Sequence, residues 1–541
     1  MTAGATLFNQ TLSVRPAGRD AEPRPAGLKK ILVVGGGSAG WMTALLLGHS
    51  LCPRGVEVQV LESPMVGAIG VGEGSTPWLR GFFDSLGIPE SEWMPPAHAT
   101  YKCGISFDGW STNRGFERYF HPFASMLDNL TMTQFVHNAN QRRRGVDLPA
   151  HPDRYFIGTR LAAQRKAPKS PPHFPFDVWY GYHFDSVLLG QFLQRKAIER
   201  GVRYTPGHIV DVQRDERGDI ASVRTADGET VAADFFVDCT GFAGLLLQKA
   251  LEVPFVSFAG NLFNDSAIAM PTPLDRAGSG GLPSHTVSNA MRHGWMWQIP
   301  LTSRFGNGYV YASAFVSADE AERELRERLG LLDDDTPARH LKMKIGRVEK
   351  HWHRNCVAVG LSQGFIEPLE ATALLFIQRT ATALVEAIEQ GDLGDEAQAR
   401  FNQRINDHFE GTRDYIVTHY KINTRTDTEY WRANAANNVL SEPLRKLFGV
   451  WFSDQNLAPH IQRGTLGDGY PVFSWYCLLA GMGLFPRPDT LRAPTPEEAR
   501  FGLEEIDDFL ERSAGNFPSQ QALLEAIPPK REGRALQVYF W

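Results

Sequence analysis

The sequence predicts an α/β protein with a doubly wound parallel sheet and a second, mainly helical lobe. Three observations indicate this class. An apolar strand at 29–34 runs into a glycine-rich turn and a helical pattern, a β-rich stretch fills 202–241, and the pattern turns largely helical from residue 361. The chain has 541 residues, which allows two or three packed lobes rather than one small domain.

The first strand leads directly into GGGSAGW, in which the glycines have G-x-G-x-x-G spacing and a helix is expected to begin near Ala39. A second strand at 56–62 ends in Glu62. Strand, glycine turn, helix, strand and acid together are the dinucleotide-binding signature, in which the backbone approaches a pyrophosphate and the acid binds a ribose. The predicted cofactor-binding residues are therefore Gly35, Gly37, Ser38, Ala39, Gly40 and Glu62.

The later β segment favours FAD over NAD as this cofactor. Residues 183–205 are expected to form a helix that runs into the strand VRYT, and 208–241 form a hairpin-rich stretch closing with Asp238-Cys239-Thr240-Gly241. A late strand ending in D-x-x-G after a small β meander is typical of FAD monooxygenase-like folds, although an ordinary strand and turn is the alternative. Asp238, Gly241 and Gly360 are predicted as further cofactor-binding residues.

From Cys356 onward we expect a strand, a glycine-rich turn and a helix from about Leu369 to Gln390, with Pro368 at its start and Gly391 as its C-cap. The predicted organisation has three parts. These are a disordered tail at 1–27, an FAD-binding domain at 28–360 with inserted substrate-lobe segments (about 90–180) and a second sheet (about 255–350), and a mainly helical substrate-binding lobe at 361–541.

Composition and charge argue against several classes of protein. The net charge of −6 gives no reason to expect nucleic-acid binding, and no run of 18 apolar residues predicts a membrane span. The five cysteines are odd in number and form no C-x-x-C pair, so neither a disulfide framework nor a metal site is predicted. The first residues contain no apolar signal segment, and we expect a cytoplasmic protein.

The stretch GWMWQIP at 294–300 places Trp295 and Trp297 two positions apart. In a strand these positions face the same side, so the two side chains would form one flat indole wall. Taken alone, the pattern is also that of an ordinary core strand with two bulky residues.

Five motifs together resemble the flavin-dependent tryptophan halogenase family. They are GGGSAGW (35–41), GVGEGSTP (70–77), FFDSLGIPESEWMP (82–95), GWMWQIP (294–300) and GLSQGFIEPLEATA (360–373), with weaker matches at 182–245 and 475–486. The resemblance spans most of 30–490, and W-x-W-x-I-P is the family's diagnostic pattern. It implies an enzyme that uses FADH2, O2 and a halide to make hypohalous acid. The acid then passes through a tunnel to a separate aromatic substrate, and Trp295 and Trp297 form the tunnel wall near the flavin.

The resemblance also assigns catalytic roles. Lys102 matches the catalytic lysine, which could either hydrogen-bond hypohalous acid or form a haloamine, and both routes stay open. Glu370 matches the essential glutamate, which could orient the electrophile and remove the ring proton. The backbone amides of Thr372 and Ala373 would hold chloride or bromide at a helix N-terminus. The family usually has Ser-Thr-Gly where this chain has Ala-Thr-Ala, so Ala373 alters the predicted halide site.

The substrate pocket matches the family only in part. His121 and Phe123 fall where the family sandwiches an indole ring. Members that take free tryptophan carry a Tyr-Tyr-Glu type segment that grips the amino acid, and residues 455–477 lack it, with Tyr470 replacing a pocket tryptophan and Ser474 an asparagine. We therefore expect a small aromatic such as an indole, or a tryptophan within a peptide or other larger molecule, rather than free tryptophan.

The single dinucleotide fingerprint, at 35–40, predicts that a separate flavin reductase supplies FADH2. Two other functions remain open: a flavin-dependent monooxygenase or oxidase on the same scaffold, and a non-catalytic protein that binds flavin or a partner. A homodimer is the one oligomeric state that we consider for this protein.

Overall fold

The computed structural model describes residues 27–65, 72–174, 176–274, 281–462, 464–500 and 502–527. Nearly all of the predicted tail at 1–27, residues 70 and 71 of the GVGEGSTP motif, and the end of the predicted helical lobe at 528–541 therefore lie outside the described residues.

The strands, in chain order from β1 to β22, are Lys30–Val34, Glu57–Glu62, Gly72–Gly74, Thr100–Lys102, Gly104–Asp108, Arg118–Pro122, Gly181–Asp185, Arg203–Pro206, Ile209–Arg214, Ile220–Thr225, Thr230–Ala232, Phe235–Asp238, Phe255–Ser257, Ser266–Thr272, Thr286–Ala290, Gly294–Pro300, Phe305–Tyr311, Arg339–Lys342, Gly346–Val348, Trp352–His353, Cys356–Ala358 and Gly364–Phe365. The α-helices, from α1 to α16, are Ser38–Leu51, Trp78–Ser85, Glu90–Trp93, Asn129–Arg143, Ile157–Ala163, Ser186–Glu199, Ala318–Leu329, Ala373–Gln390, Asp395–Lys421, Glu429–Ala436, Glu442–Trp451, Leu457–Gln462, Thr465–Gly469, Val472–Gly481, Leu503–Gly515 and Gln520–Glu525.

A six-stranded sheet in the order β20-β21-β12-β1-β2-β8 forms the centre of the cofactor-binding part. Its strands are parallel except for the edge strand β20. Along β1, Ile31 and Val33 belong to one apolar core, whereas Leu32 and Val34 belong to another, as expected for a parallel sheet covered on both faces. The three-stranded meander β11-β10-β9 follows the prediction, and the α/β class is confirmed.

A second, seven-stranded sheet has the order β18-β14-β17-β16-β15-β5-β6. Two of its strands, β5 and β6, come from the segment that the sequence suggested as an insertion at about 90–180. Parallel pairing of β5 with β15 joins this segment to the predicted second sheet. Residues far apart in sequence therefore share one continuous β surface.

Two predicted helix boundaries differ from the structure. Residues 183–185 complete β7, and α6 begins at Ser186 because the Asp185 carboxylate accepts hydrogen bonds from the amides of Val187 and Leu188 at 3.1 and 3.2 Å. The helix after Pro368 begins at Ala373 rather than Leu369.

The late start of α8 has a local cause. Residues Pro368–Glu370 form a 3₁₀ turn, and Ala371 then adopts a left-handed conformation with φ of 57°. Gly391 ends α8 with φ of 68°, as predicted for a C-cap glycine. Among the described residues, every helix is too short or too polar to cross a lipid bilayer.

Candidate active site

The carboxyl ends of β1, β2, β12 and β21 lie at one edge of the parallel sheet, where open α/β sheets bind ligands. The glycine turn after β1 packs tightly at this edge. A methyl group at Gly35 would lie 2.2 Å from the Cys239 carbonyl oxygen, and one at Gly40 would lie 1.8 Å from the Gly35 carbonyl oxygen. The turn after β1 and the turn after β12 can therefore meet only because these positions carry no side chain.

Glu62 lies against the same turn. A methyl group at Gly36 would be 2.1 Å from the Glu62 Cδ atom. Burial raises the pKa of Glu62, and a hydrogen bond from Trp41 opposes the rise. The opposite side of the turn is open among the described residues, none of which lies within 4 Å of a methyl group at Gly37.

The N-terminus of α1 faces this open side. The first hydrogen bond of the helix joins the Trp41 amide to the Gly37 carbonyl at 3.0 Å, so the amides of residues 38–40 have no partner within the helix. The first turn of α1 contains no acidic residue. A free helix N-terminus, a glycine cradle and a nearby carboxylate fit the pyrophosphate and ribose of a dinucleotide such as FAD.

The remaining predicted cofactor residues lie around the same edge. Asp238 is buried, and its carboxylate accepts four hydrogen bonds from the following turn: Thr240 N at 3.0 Å, Thr240 Oγ1 at 2.6 Å, Leu246 N at 2.9 Å and Leu247 N at 2.8 Å. It therefore shapes the turn containing Gly241, which has φ of 66°.

Gly360 and Ser38 complete this set. A methyl group at Gly360, where φ is 75°, would lie 2.6 Å from the Ala39 Cβ atom. Ser38 donates a hydrogen bond to the Ser186 carbonyl at 3.5 Å. The structure thus brings these predicted residues together, while direct contact of each with the cofactor stays a prediction.

Trp295 and Trp297 lie in β16, both buried, on one face of the seven-stranded sheet. Their ring centroids are 6.1 Å apart, but the ring planes are inclined by 58°, so the predicted single flat wall is wrong in its shape. Trp295 Nε1 donates a hydrogen bond to Glu367 Oε2 at 2.8 Å. The ring of Trp297 lies over Gly308 on the next strand, where a methyl group would be 2.0 Å from its Cζ2 atom.

Strand register places this tryptophan pair on the same face of the sheet as His121, one of the predicted substrate residues. Paired residues in adjacent strands point to the same side of a sheet. The shared face carries one row formed by Trp297, Ser288, Phe107 and Tyr119, and a second row formed by Thr286, Ile105 and His121.

Lys102 ends β4 and is fully buried. Within the described part of the chain its Nζ atom has no hydrogen-bond partner, and it lies 5.5 Å from the centre of the Phe123 ring. Burial lowers the pKa of Lys102 to about 7, and the negative charge of Glu370 opposes this change. A buried amine without a partner is poised to bind a polar ligand in either protonation state.

Glu370 lies at the end of the 3₁₀ turn, 4% exposed, between two imidazole rings. His121 Nδ1 is 2.9 Å from one carboxylate oxygen and 3.1 Å from the other, and His419 Nε2 is 3.3 Å from Oε1. Burial alone would raise the pKa of Glu370, but His121 and His419 outweigh it and lower the value to about 2. Glu370 is therefore an ionised carboxylate at neutral pH.

His121 does not present a free ring to a substrate. Its second nitrogen, Nε2, lies 3.0 Å from Ser474 Oγ, so both ring nitrogens have partners. Its ring centre is 6.5 Å from that of Tyr470, which itself stacks on Tyr415 at 3.6 Å with an angle of 12°. Phe123 is half-buried on the other side, near Lys102. Of the four predicted substrate residues, His121 thus contacts Glu370 and Phe123 lies near Lys102, while Ser474 and Tyr470 lie beside His121.

Several residues of this site were not predicted. Glu367 is fully buried, and its Oε2 accepts hydrogen bonds from Trp295, from Tyr420 OH at 2.7 Å and from Asn264 Nδ2 at 2.9 Å. Burial raises its pKa. The sequence GFIEPLEATA contains two glutamates three positions apart, and this spacing was the available signal for Glu367.

The predicted halide amides lie at the N-terminus of α8. Thr372 is the N-cap residue, and the first helical hydrogen bond joins the Phe376 amide to its carbonyl at 3.1 Å. The amides of residues 372–375 therefore have no partner within the helix. The Thr372 side chain does not cap this terminus, and the first turn of the helix has no acidic residue. Such a terminus can hold an anion.

Comparison with known proteins agrees with this geometry. Residues 30–496 match the family described as tryptophan halogenase. Tryptophan 6-halogenase SttH of Streptomyces toxytricini is 36% identical, covering 92% of this chain and 98% of SttH. Its crystal structure superposes with a TM-score of 0.81, covering 92% of this chain and 99% of that chain at 33% identity.

Two further proteins are similar over nearly the full length. Tryptophan 7-halogenase RebH of Lentzea aerocolonigenes is 35% identical over 93% of this chain and 98% of RebH. The structure of MibH, a lanthipeptide tryptophan 5-halogenase, gives a TM-score of 0.79 at 26% identity, covering 94% of each chain.

The fold is that of flavin-dependent enzymes, and beside the sheet with the glycine turn it has a cluster of buried ionisable and aromatic side chains. The chain belongs to the flavin-dependent tryptophan halogenase family.

Proposed function

We propose that this enzyme halogenates an indole, or a tryptophan within a larger molecule, in preference to free tryptophan. It uses FADH2, O2 and chloride or bromide, and hypohalous acid reaches Lys102 and Glu370 through a tunnel past the tryptophan pair. The observation that carries the proposal is a buried Lys102 amine, without a hydrogen-bond partner among the described residues, on whose pKa the charge of the ionised Glu370 acts.

When bound, reduced FAD would supply two electrons to O2 and the halide two more, so that FADH2, O2, halide and a proton give FAD, hypohalous acid and water. The residues of the chain have separate roles before and after this step. The α8 amides hold the halide, and the Lys102 amine holds the electrophile by a hydrogen bond or as a haloamine. Glu370 accepts the proton that leaves the halogenated ring, which restores its aromaticity. The rings around His121 and Phe123 limit how the substrate can lie.

The substrate preference rests on residues 455–474, which supply no buried carboxylate for an ammonium group. The acidic side chain in this stretch is Asp468, and it is exposed. Tyr470 OH is buried and has no partner among the described residues, and Ser474 Oγ is occupied by His121. An indole or a peptide-bound tryptophan brings no free ammonium and carboxylate pair into this pocket.

We expect kcat/KM for free tryptophan to be lower than for indole or for a short peptide containing tryptophan. Each missing charge-assisted hydrogen bond to the amino acid costs about 1.5–3 kcal/mol, and zwitterion charges left unpaired add a desolvation cost. Side-by-side kinetics on the three substrates with bromide and with chloride checks this. Because Ala373 alters the halide site and bromide is easier to oxidise, bromide should give the faster reaction. A value for free tryptophan equal to or above the other two would contradict the preference.

Purified enzyme with NADH and FAD should form no product until a flavin reductase or chemically reduced flavin is added. The physical reason is that the sequence carries one dinucleotide fingerprint, at 35–40, which the flavin itself would occupy. Product formation with NAD(P)H alone would show that this chain reduces its own flavin.

The monooxygenase alternative differs in product mass. A reaction with bromide and an indole panel should yield products that gain bromine, whereas a hydroxylase would add oxygen. The same preparation can be used to measure the oligomeric state, for which a homodimer remains the prediction. A cytoplasmic location also remains a prediction.

A further inference from the structure

A chain of three buried polar side chains runs beside Lys102. Thr100, in the same strand, and His183, in β7, are fully buried, and Thr286, at the start of β15, is 7% exposed. Thr100 Oγ1 lies 2.9 Å from His183 Nδ1, and His183 Nε2 lies 2.9 Å from Thr286 Oγ1. No mechanistic role described above uses these residues.

The number of hydrogens on each group determines which group donates in each of these hydrogen bonds. Thr100 donates its single hydroxyl hydrogen to the Pro300 carbonyl at 2.8 Å, because a carbonyl can only accept. The Thr100 oxygen must then accept from His183 Nδ1. Burial, together with the charges of Lys102 and His285, lowers the pKa of His183 well below its usual value, so the ring is neutral and its Nε2 carries no hydrogen.

It follows that the Thr286 hydroxyl donates its only hydrogen to His183 Nε2. The Thr286 oxygen can therefore act toward any other neighbour only as an acceptor. Its neighbour across Gly74 is Lys102. A methyl group at Gly74 would lie 3.1 Å from Lys102 Nζ, 3.5 Å from Thr286 Oγ1 and 3.6 Å from His183 Cδ2, so all three groups converge on this point.

We infer that Thr286, with its hydroxyl orientation set by His183, is a positioning residue for Lys102, accepting a hydrogen bond from its ammonium group through one water molecule. The inference rests on the role proposed above for Lys102. It explains how a buried amine without a protein partner keeps a defined orientation toward the pocket. This row of hydrogen-bonded side chains ends at the Pro300 carbonyl and so links Lys102 to the strand that carries the tryptophan pair.

An acceptor at Thr286 favours the charged form of Lys102. The other ionisable groups that act on Lys102 or on the hydrogen-bonded side chains beside it are Glu370, which favours the ammonium, and His183 and His285, which are neighbouring bases. Removing the Thr286 oxygen should therefore lower the pKa of Lys102 further, whichever protonation state is the active one.

The test compares Thr286→Val with Thr286→Ser. Valine has nearly the same shape and suits a strand, whereas serine keeps the hydroxyl group. The pH at which Lys102 is half-acylated by a small anhydride, measured by peptide mass spectrometry, should fall by about one pH unit in Thr286→Val and stay unchanged in Thr286→Ser. The halogenation kcat/KM should fall in Thr286→Val alone, with FAD binding and melting temperature recorded for both variants.

The acylation midpoint does not depend on halogenation, so failure of the proposed function and failure of this inference are distinguishable. A wild-type protein that forms no halogenated product contradicts the function. An acylation midpoint in Thr286→Val that equals or exceeds the wild-type value overturns the inference, as does a Thr286→Ser variant that behaves like Thr286→Val.

Discussion

Lys102→Ala is expected to lose at least nine-tenths of the halogenation rate while FAD binding and flavin reoxidation remain near normal. The Lys102 amine is buried and has no hydrogen-bond partner among the described residues, and alanine has no amine to hold the electrophile. A tenfold loss corresponds to about 1.4 kcal/mol of lost transition-state stabilisation, and a larger loss to more. Product formation by mass spectrometry and flavin reoxidation by absorbance measure the two effects separately.

A matched control is Lys446→Ala, because Lys446 is exposed and pairs with Glu442 within one helix. This variant should keep the wild-type rate. If Lys102→Ala retains more than about a tenth of the rate, the assignment of Lys102 as a catalytic residue is wrong.

The pH profile distinguishes the two routes left open for Lys102. Its pKa is about 7, so the ammonium fraction falls and the amine fraction rises as the pH increases through neutrality. A hydrogen-bonding ammonium predicts a rate that declines above about pH 7, whereas haloamine formation by the neutral amine predicts a rate that rises over the same range.

Glu370→Gln is expected to lower the rate of product formation by about a hundredfold or more, the usual contribution of a general base, with flavin reoxidation unchanged. Glutamine cannot take the ring proton, and its amide would place a donor against His121 or His419. Single-turnover formation of halogenated product measures the effect.

Glu370→Asp separates charge from position. It keeps a carboxylate but shortens the side chain, so it should recover part of the lost rate. Because the pKa of Glu370 is about 2, its own protonation should not limit the rate between about pH 5 and pH 9. Wild-type activity in Glu370→Gln would remove Glu370 from the mechanism.

Local sequence signals predicted the parts of the site that depend on neighbours in the chain. The glycine spacing at 35–40 and Glu62 at the end of the next strand are such signals, and the structure brings Glu62 against Gly36. The tryptophan pair was predicted to share one face of a strand, which is correct. The inclination of its rings was not predictable, because it depends on Glu367 and on Gly308.

The polar contacts of the pocket depend on partners that are distant in sequence. His121 and Glu370 are separated by 249 positions, and His121 and Ser474 by 353. No spacing rule could show that His121 would bond at both nitrogens instead of stacking freely. His419 was missed for the same reason, since it reaches Glu370 from the long helix α9.

The contact between Trp297 and Gly308 has a consequence for how this sequence can change over time. The indole occupies the volume that any side chain at position 308 would need. A substitution at Gly308 would be accepted only after Trp297 had already become smaller, and the reverse order would displace the ring. The residues at positions 297 and 308 should therefore covary among related sequences, although a motif search detects only the tryptophan.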